Sequence, residues 1–204
     1  MVEPHPNARL EAFCDGVFAI ALTLLIIDIK LPSMESMGST AEVWHALERL
    51  APTVFAFVLS FGIIFITWVN HRGTFRLVHK SSPSFIYANG LLLLTVVFIP
   101  FPTALLGAFL WTDHAAPAVM LYDAVLAVQA IGWLLVTGAA LENQLVKDER
   151  AAVTVREQNR SGYFAFVLYA LLALGAFWFP ITIAILTTAS WIFWLILSVR
   201  LRHN

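Results

Sequence analysis

The sequence predicts an all-α fold: a polytopic membrane protein whose six transmembrane helices form a single domain over residues 1–204. The first observation is composition, because 60% of the residues are hydrophobic and only 12% are charged. Soluble domains carry roughly 25% charged residues. The second observation is length, because six runs reach the ~20 mostly apolar residues that a bilayer requires. These runs are 10–31, 51–70, 84–109, 117–141, 162–180 and 182–199.

The first run, 10–31, carries one apolar stripe at the three- and four-residue spacing of a helix face. Asp15 and Asp28 bound the aliphatic part of this stripe, from Ile20 to Ile27. It is either the packing face of one helix among six or the wall of an ion path, because carboxylates attract cations and an apolar ring can close a pore by excluding water. Periodicity alone does not separate the two interpretations. The stripe comprises Phe13, Gly16, Ile20, Thr23, Leu24, Ile27 and Leu31.

Asp15 is the unusual residue of the first run, since carboxylates within membrane spans are rare and face protein or water. Arg9 precedes it by six residues, which is beyond the spacing of neighbours on one helix. We therefore expect its partner on another helix. The second run, 51–70, ends at the same membrane depth and is followed by His71. The indole of Trp68, the amide of Asn70 and the imidazole of His71 can all hydrogen-bond a carboxylate, although tryptophan at this depth is more often an interfacial anchor.

The third run, 84–109, contains Pro100 and Pro102, which are expected to kink the helix as a structural feature, because membrane helices tolerate proline. The fourth run, 117–141, carries Asp123 near its outer end. We expect that carboxylate to be solvated at the membrane interface.

The last two runs lie so close together that Pro180 is expected to mark a tight turn between antiparallel helices. The connection 32–50 is mixed in composition and predicts a short surface helix near its end. The connection 142–160 is the most charged part of the chain, and we expect a charged surface loop in water there.

Positive charge predicts the orientation, with both termini in the cytoplasm of a multi-pass cell-membrane protein. Ten of the twelve Lys and Arg residues then lie on the cytoplasmic side, and only Lys30 and Arg49 lie outside. Two cytoplasmic termini require an even number of spans, which agrees with six. The cytoplasmic set is Arg9, Arg72, Arg76, Lys80, Lys147, Arg150, Arg156, Arg160, Arg200 and Arg202.

Three motifs resemble the prokaryotic members of the transmembrane protein 175 family, which are potassium-permeable channels. The family signature Arg-x-x-x-Phe-Ser-Asp, followed by Gly-Val-Phe-Ala-Ile-Ala, reads "RLEAFCDGVFAIALTLLIIDI" in this chain, with Cys14 in place of the serine. Two further stretches agree, "TWVNHRGTF" and "NGLLLLTVVFIPFPTALL". The matching residues are Arg9, Phe13, Asp15, Trp68, His71, Asn89, Pro100 and Pro102.

The resemblance implies a homotetramer whose first helices line the pore. By residue-to-residue correspondence, Ile20, Leu24 and Ile27 would form successive apolar constriction rings, with Ile20 nearest the cytoplasm. Thr23 would add a ring of hydroxyl groups, and Asp28 would lie at the outer mouth. A hydrogen-bonded cluster would fix the pore helix without binding the ion. That cluster comprises Arg9, Phe13, Cys14, Asp15, Trp68 and His71.

The function predicted is passive conduction of K⁺. The expected partners are further copies of the same chain, potassium ions and lipid. We expect no cofactor, no metal site and no nucleic acid. Motifs of intramembrane enzymes are absent from the sequence. A proton-coupled or other secondary transporter that relays protons through Asp15 and His71 is the alternative. Transporters bind substrate near the bilayer midplane, whereas the middle of the first run is apolar, which favours a channel.

Overall fold

The computed structural model describes residues 7–30 and 38–200, with side chains described as far as residue 196. Leu31 of the predicted stripe and Arg202 of the predicted cytoplasmic set therefore lie outside the described residues. The elements are α1 (Ala8–Leu24), a 3₁₀ turn (Leu25–Asp28), α2 (Thr40–Arg49), α3 (Ala51–Leu77), α4 (Pro83–Phe98), α5 (Pro100–Phe109), α6 (Ala115–Glu142), α7 (Glu149–Gly175) and α8 (Pro180–Arg200).

Four helical stretches among the described residues are long and apolar enough to cross a membrane. They correspond to the first four predicted runs. The third stretch consists of α4 and α5, which meet at Ile99 directly before Pro100. Proline lacks the amide proton that a continuous helix needs, so the division falls where the sequence predicts a kink. The stretches are Ala8–Asp28, Ala51–Leu77, Pro83–Phe109 and Ala115–Glu142.

The helices α7 and α8 correspond to the last two predicted runs, but α7 begins earlier than predicted. Helix α7 begins at Glu149 because the Asp148 side chain accepts a hydrogen bond from the Ala151 amide at 2.8 Å and caps the first turn. The prediction of a charged loop over 142–160 is therefore wrong for residues 149–160, which are helical. The apolar part of α7 is preceded by a charged part, and the apolar part of α8 covers Pro180–Ile196.

Helix α6 lies at the centre of the subunit and makes its most extensive contacts with α7 and α4. Glycine residues permit α6 to approach both α4 and α7 closely. A Cβ atom at Gly132 would lie 3.0 Å from the Leu92 backbone on α4, and one at Gly162 would lie 2.9 Å from the Leu134 side chain. Small residues let membrane helices pack closely where no hydrophobic effect drives association.

Buried polar pairs join the helices inside the apolar core. The Ser60 hydroxyl on α3 lies 2.6 Å from that of Thr103 and 2.8 Å from that of Tyr122. Thr187 on α8 donates to Asp123 Oδ1 at 2.8 Å, and the Asp123 side chain is fully buried. The expectation that Asp123 is solvated at the interface is wrong, because α8 packs over it.

Candidate functional site

Helix α1 has one buried face and one exposed face. The buried face packs against α3 and α4 and consists of residues that are at most 1% exposed. They are Cys14, Phe18, Ala21 and Leu25. On the opposite face Ile20 is 58% exposed and Ile27 is 64% exposed, with Leu24 between them also exposed. The apolar stripe predicted from the sequence therefore faces away from the subunit, and the 3₁₀ turn after Leu24 continues it.

The hydroxyl of Thr23 lies on the exposed face and donates a hydrogen bond to the Ile20 carbonyl oxygen at 2.9 Å. Threonine in helices commonly bonds the backbone of the preceding turn in this way. The bond uses the only hydroxyl proton and leaves the oxygen lone pairs available on the exposed face. Thr23 can therefore present an acceptor, but not a donor, to whatever lies beside the stripe.

Asp15 is bonded directly to the second spanning helix. Nε1 of Trp68 on α3 donates to Asp15 Oδ1 at 2.7 Å. The indole ring is held on two sides, by the Phe65 ring at a centroid distance of 5.5 Å and by the Arg72 guanidinium at 5.7 Å. This bond therefore ties α1 to α3 at the level of Asp15.

His71 is 1% exposed and is bonded to Asn89 on α4 instead of Asp15. The two atoms, His71 Nε2 and Asn89 Oδ1, are 2.8 Å apart. The Asn89 amide nitrogen donates to the Phe85 carbonyl at 2.7 Å, which turns Oδ1 towards the imidazole. The Nε2 atom of His71 is therefore the donor. The imidazole also contacts the Phe18 ring of α1 at a centroid distance of 5.3 Å.

The predicted six-residue cluster is divided in the structure. Asp15 and Trp68 are bonded, His71 contacts the Phe18 ring of α1, and Cys14 is buried in the core. Arg9 and Phe13 lie exposed at the start of α1, on the side that carries the stripe. Asp28, predicted at the outer mouth, ends the 3₁₀ turn and is half-buried.

Two contacts of this site were not predicted from the sequence. Asn89 belongs to the third matching motif, but its role as the partner of His71 was not predicted. Phe18 lies inside the first motif, and its ring brings α1 against the imidazole. Asn89 is a polar residue and Phe18 an aromatic residue within apolar helices. That pattern could have indicated that each side chain contacts another helix. Pairing them requires knowing how α1, α3 and α4 pack.

The comparisons with known proteins converge on one family. The family profile described as "Endosomal/lysosomal potassium channel TMEM175" matches residues 9–100, the region that contains Asp15, Trp68, His71 and Asn89. A potassium channel of Chamaesiphon minutus is 36% identical over 183 residues, covering 88% of this chain and 90% of the relative. A potassium channel of Streptomyces collinus is 36% identical over 188 residues, covering 89% of this chain and 82% of the relative.

A solved structure agrees with the same assignment. The crystal structure of a lysosomal potassium-selective channel TMEM175 homolog from Chamaesiphon minutus superposes with a TM-score of 0.84 and 33% sequence identity. The superposition covers 94% of this chain and 97% of that chain.

Proposed function

Because the chain belongs to the TMEM175 potassium channel family, we propose that it conducts K⁺ passively across a membrane through a pore lined by α1. The observation that carries this proposal is the exposed apolar stripe of α1, whose opposite face is buried in the subunit. A helix at the edge of a membrane subunit can expose apolar residues to lipid. Here the aliphatic part of the exposed stripe is bounded by Asp15 and Asp28 and follows the family's first motif, and this favours a water-filled path over lipid.

The pore requires several copies of the chain, because a single helix cannot enclose a path. A homotetramer is the assembly we propose, with the four α1 stripes facing a common axis. Closed symmetric assemblies present the same surface from each copy. The buried face of α1 supports this arrangement, because Phe18 and Leu25 hold the helix from behind and leave Ile20 and Ile27 directed outwards.

The constriction consists of aliphatic rings from Ile20, Leu24 and Ile27. An aliphatic ring offers no oxygen to replace the water that a hydrated cation would lose, and a narrow apolar segment closes by dewetting. A small splay or rotation of the four helices would be enough to wet it. Thr23 lies between two of these rings and supplies hydroxyl lone pairs, so it is the residue of the stripe that can affect ion preference.

The Asp15–Trp68 bond serves to hold the pore helix in position. A ring that opens by a small movement needs each α1 to be placed reproducibly, and a hydrogen bond to a ring fixed by Phe65 and Arg72 supplies that constraint. Asp28 at the other end of the stripe would raise the local concentration of cations at the outer mouth.

The membrane arrangement that we propose has six spans and both termini in the cytoplasm of a cell-membrane protein. The four long apolar stretches supply the first four spans, and the apolar parts of α7 and α8 supply the fifth and sixth. The distribution of Lys and Arg supports this orientation under the positive-inside rule.

A proton-coupled transporter based on Asp15 and His71 is less favoured by the contacts of these residues. A relay needs groups that bind and release protons in sequence. The bonded partner of Asp15 is an indole, which only donates, and the bonded partner of His71 is an amide. No carboxylate–imidazole contact joins the two residues in the part of the chain that the structure describes.

The experiment is a planar-bilayer recording of the purified protein. With KCl at different concentrations on the two sides, a potassium channel gives a reversal potential close to the K⁺ equilibrium potential and a current without saturable coupling to another solute. Replacing K⁺ by Na⁺ on one side measures the preference between the ions. A reversal potential that follows the proton gradient instead would contradict the proposal, and one that depends on the gradients of both protons and a second solute would support the transporter.

A further inference from the structure

A second potential site is a cavity of about 640 Å³ between α3, α6, α7 and α8. No residue of α1 lines it, so it is separate from the exposed stripe. It extends along α3 from Leu77 to Ile63, and Thr154 and Tyr169 of α7 line it as well. Its volume is in the range of cavities that hold small molecules, about 300–1,000 Å³.

The walls of this cavity are mainly aromatic and aliphatic. Tyr169 and three tryptophans, Trp133, Trp191 and Trp194, contribute rings from α6, α7 and α8. Aromatic side chains offer large apolar contact surfaces. A group of four such rings around one cavity favours an organic cation with an apolar body over a compact hydrated metal ion, which the rings cannot coordinate.

Charge in the lining has one sign. Among the described residues that line the cavity, Glu157 on α7 is the only Asp, Glu, Lys, Arg or His. Its side chain is also exposed to solvent, so a charge bound beside it keeps part of its hydration. The neighbouring amides already have partners, because Gln129 donates to Thr67 at 3.1 Å and Gln158 accepts from Thr74 at 2.9 Å. Glu157 is therefore the one charged group in the described lining of the cavity.

We propose that this cavity binds an amphipathic organic cation, with its ammonium group beside Glu157 and its apolar part against the tryptophan rings. The aromatic walls and the single carboxylate are complementary to the two ends of such a molecule. The inference is independent of K⁺ conduction, since the cavity and the α1 stripe share no residue.

Gly73 provides a way to fill the cavity without disturbing the backbone. It lines the cavity on α3, and a Cβ atom added to it would meet nothing within 4 Å. A leucine at this position would therefore extend into the cavity. Gly90 on α4 has equally open surroundings and does not line the cavity, so Gly90→Leu is the matched control. Ala165→Leu fills the same cavity from α7 if Gly73→Leu fails to assemble.

The test is equilibrium dialysis of octyltrimethylammonium and of uncharged octanol against the full chain in lipid nanodiscs, with empty nanodiscs as the blank. We expect saturable binding of the ammonium probe at one site per chain, unchanged in Gly90→Leu. Gly73→Leu should weaken it by about tenfold or more. Glu157→Gln should weaken the ammonium probe by about three- to tenfold and leave octanol binding unchanged.

Three results would overturn the proposal. Binding no greater than that of empty nanodiscs would mean that the cavity takes no such ligand. Wild-type affinity in both cavity-filling variants, Gly73→Leu and Ala165→Leu, would place the bound probe elsewhere. Equal effects of Glu157→Gln on the ammonium probe and on octanol would assign the cavity to neutral amphiphiles. Because the readout is binding, none of these results bears on whether the protein conducts K⁺.

Discussion

The indole nitrogen of Trp68 lies 2.7 Å from Asp15 Oδ1, and this hydrogen bond joins the proposed pore helix α1 to α3. Removing the carboxylate leaves the indole N–H without its acceptor, and removing the indole leaves the carboxylate without its donor. The energetic value of the contact is therefore measurable as a coupling between the two residues.

We predict a coupling of about 1–3 kcal/mol between Asp15→Ala and Trp68→Phe, the magnitude of a hydrogen bond to a charged or partly buried group. The measurement is a double-mutant cycle on the free energy of unfolding in detergent micelles. Trp111→Phe, at a residue that is 65% exposed, is the control and should cost little. Strictly additive effects of the two substitutions would mean that the bond does not stabilise the fold.

The His71–Asn89 pair predicts an asymmetric response. Asn89→Leu alone leaves the buried Nε2 donor of His71 without an acceptor, and we expect a loss of about 1–3 kcal/mol in the free energy of unfolding. Replacing both residues by leucine removes both polar groups, so the double variant should be more stable than Asn89→Leu. If the double variant is less stable than both Asn89→Leu and His71→Leu, the two residues stabilise the fold independently of each other.

Close packing at Gly132 predicts a loss of stability on Gly132→Ala of about 1–3 kcal/mol, because the added Cβ meets the Leu92 backbone at 3.0 Å. The same change at Gly90 adds a Cβ to open space and should be neutral or stabilising by up to about 1 kcal/mol from helix propensity. Thermal unfolding of both variants in one detergent gives the comparison. Similar effects at the two positions would exclude the α4–α6 contact as the cause.

The aliphatic constriction that we propose for a tetramer predicts that Ile20→Asn raises the K⁺ current and lowers the preference for K⁺, because an amide hydrates the ring. The control is Leu94→Asn on α4, a residue that is 64% exposed compared with 58% for Ile20, and it should leave the current per tetramer unchanged. Thr23→Val removes the hydroxyl and should change ion preference more than open probability. Equal currents from the wild type and an assembled Ile20→Asn tetramer would place the constriction elsewhere.

The sequence was a good guide where structure depends on local periodicity. The stripe containing Ile20, Leu24 and Ile27 is exposed in the subunit, as its helical spacing allows. Ideal helix geometry places Ile26 away from this stripe. The chain winds more tightly over the 3₁₀ turn at Leu25–Asp28, and Ile26 is 54% exposed. A change of winding of this kind has no clear signal in an apolar run.

Contacts between distant segments were the harder part to predict. Asp123 meets Thr187 across 64 positions of sequence, and His71 meets Asn89 on the following helix. The membrane depth of a residue limits which residues of other helices it can contact. The choice among these partners depends on how each helix is rotated about its axis and packed against its neighbours. The helical second half of the 142–160 segment was missed because a charged run is compatible with both a loop and a helix that extends into water.

The most direct test of the account is whether Ile27 faces the ion path while Leu25, in the same 3₁₀ turn, does not. Cys14 is fully buried and is the only native cysteine, so single cysteines can be introduced into the wild-type chain. In assembled channels in a planar bilayer, a cationic thiol reagent added to the outer side should block the K⁺ current of Ile27→Cys. The same reagent should leave the wild type and Leu25→Cys unaffected. An unchanged current in Ile27→Cys, with its modification verified by mass spectrometry, would contradict a pore lined by α1.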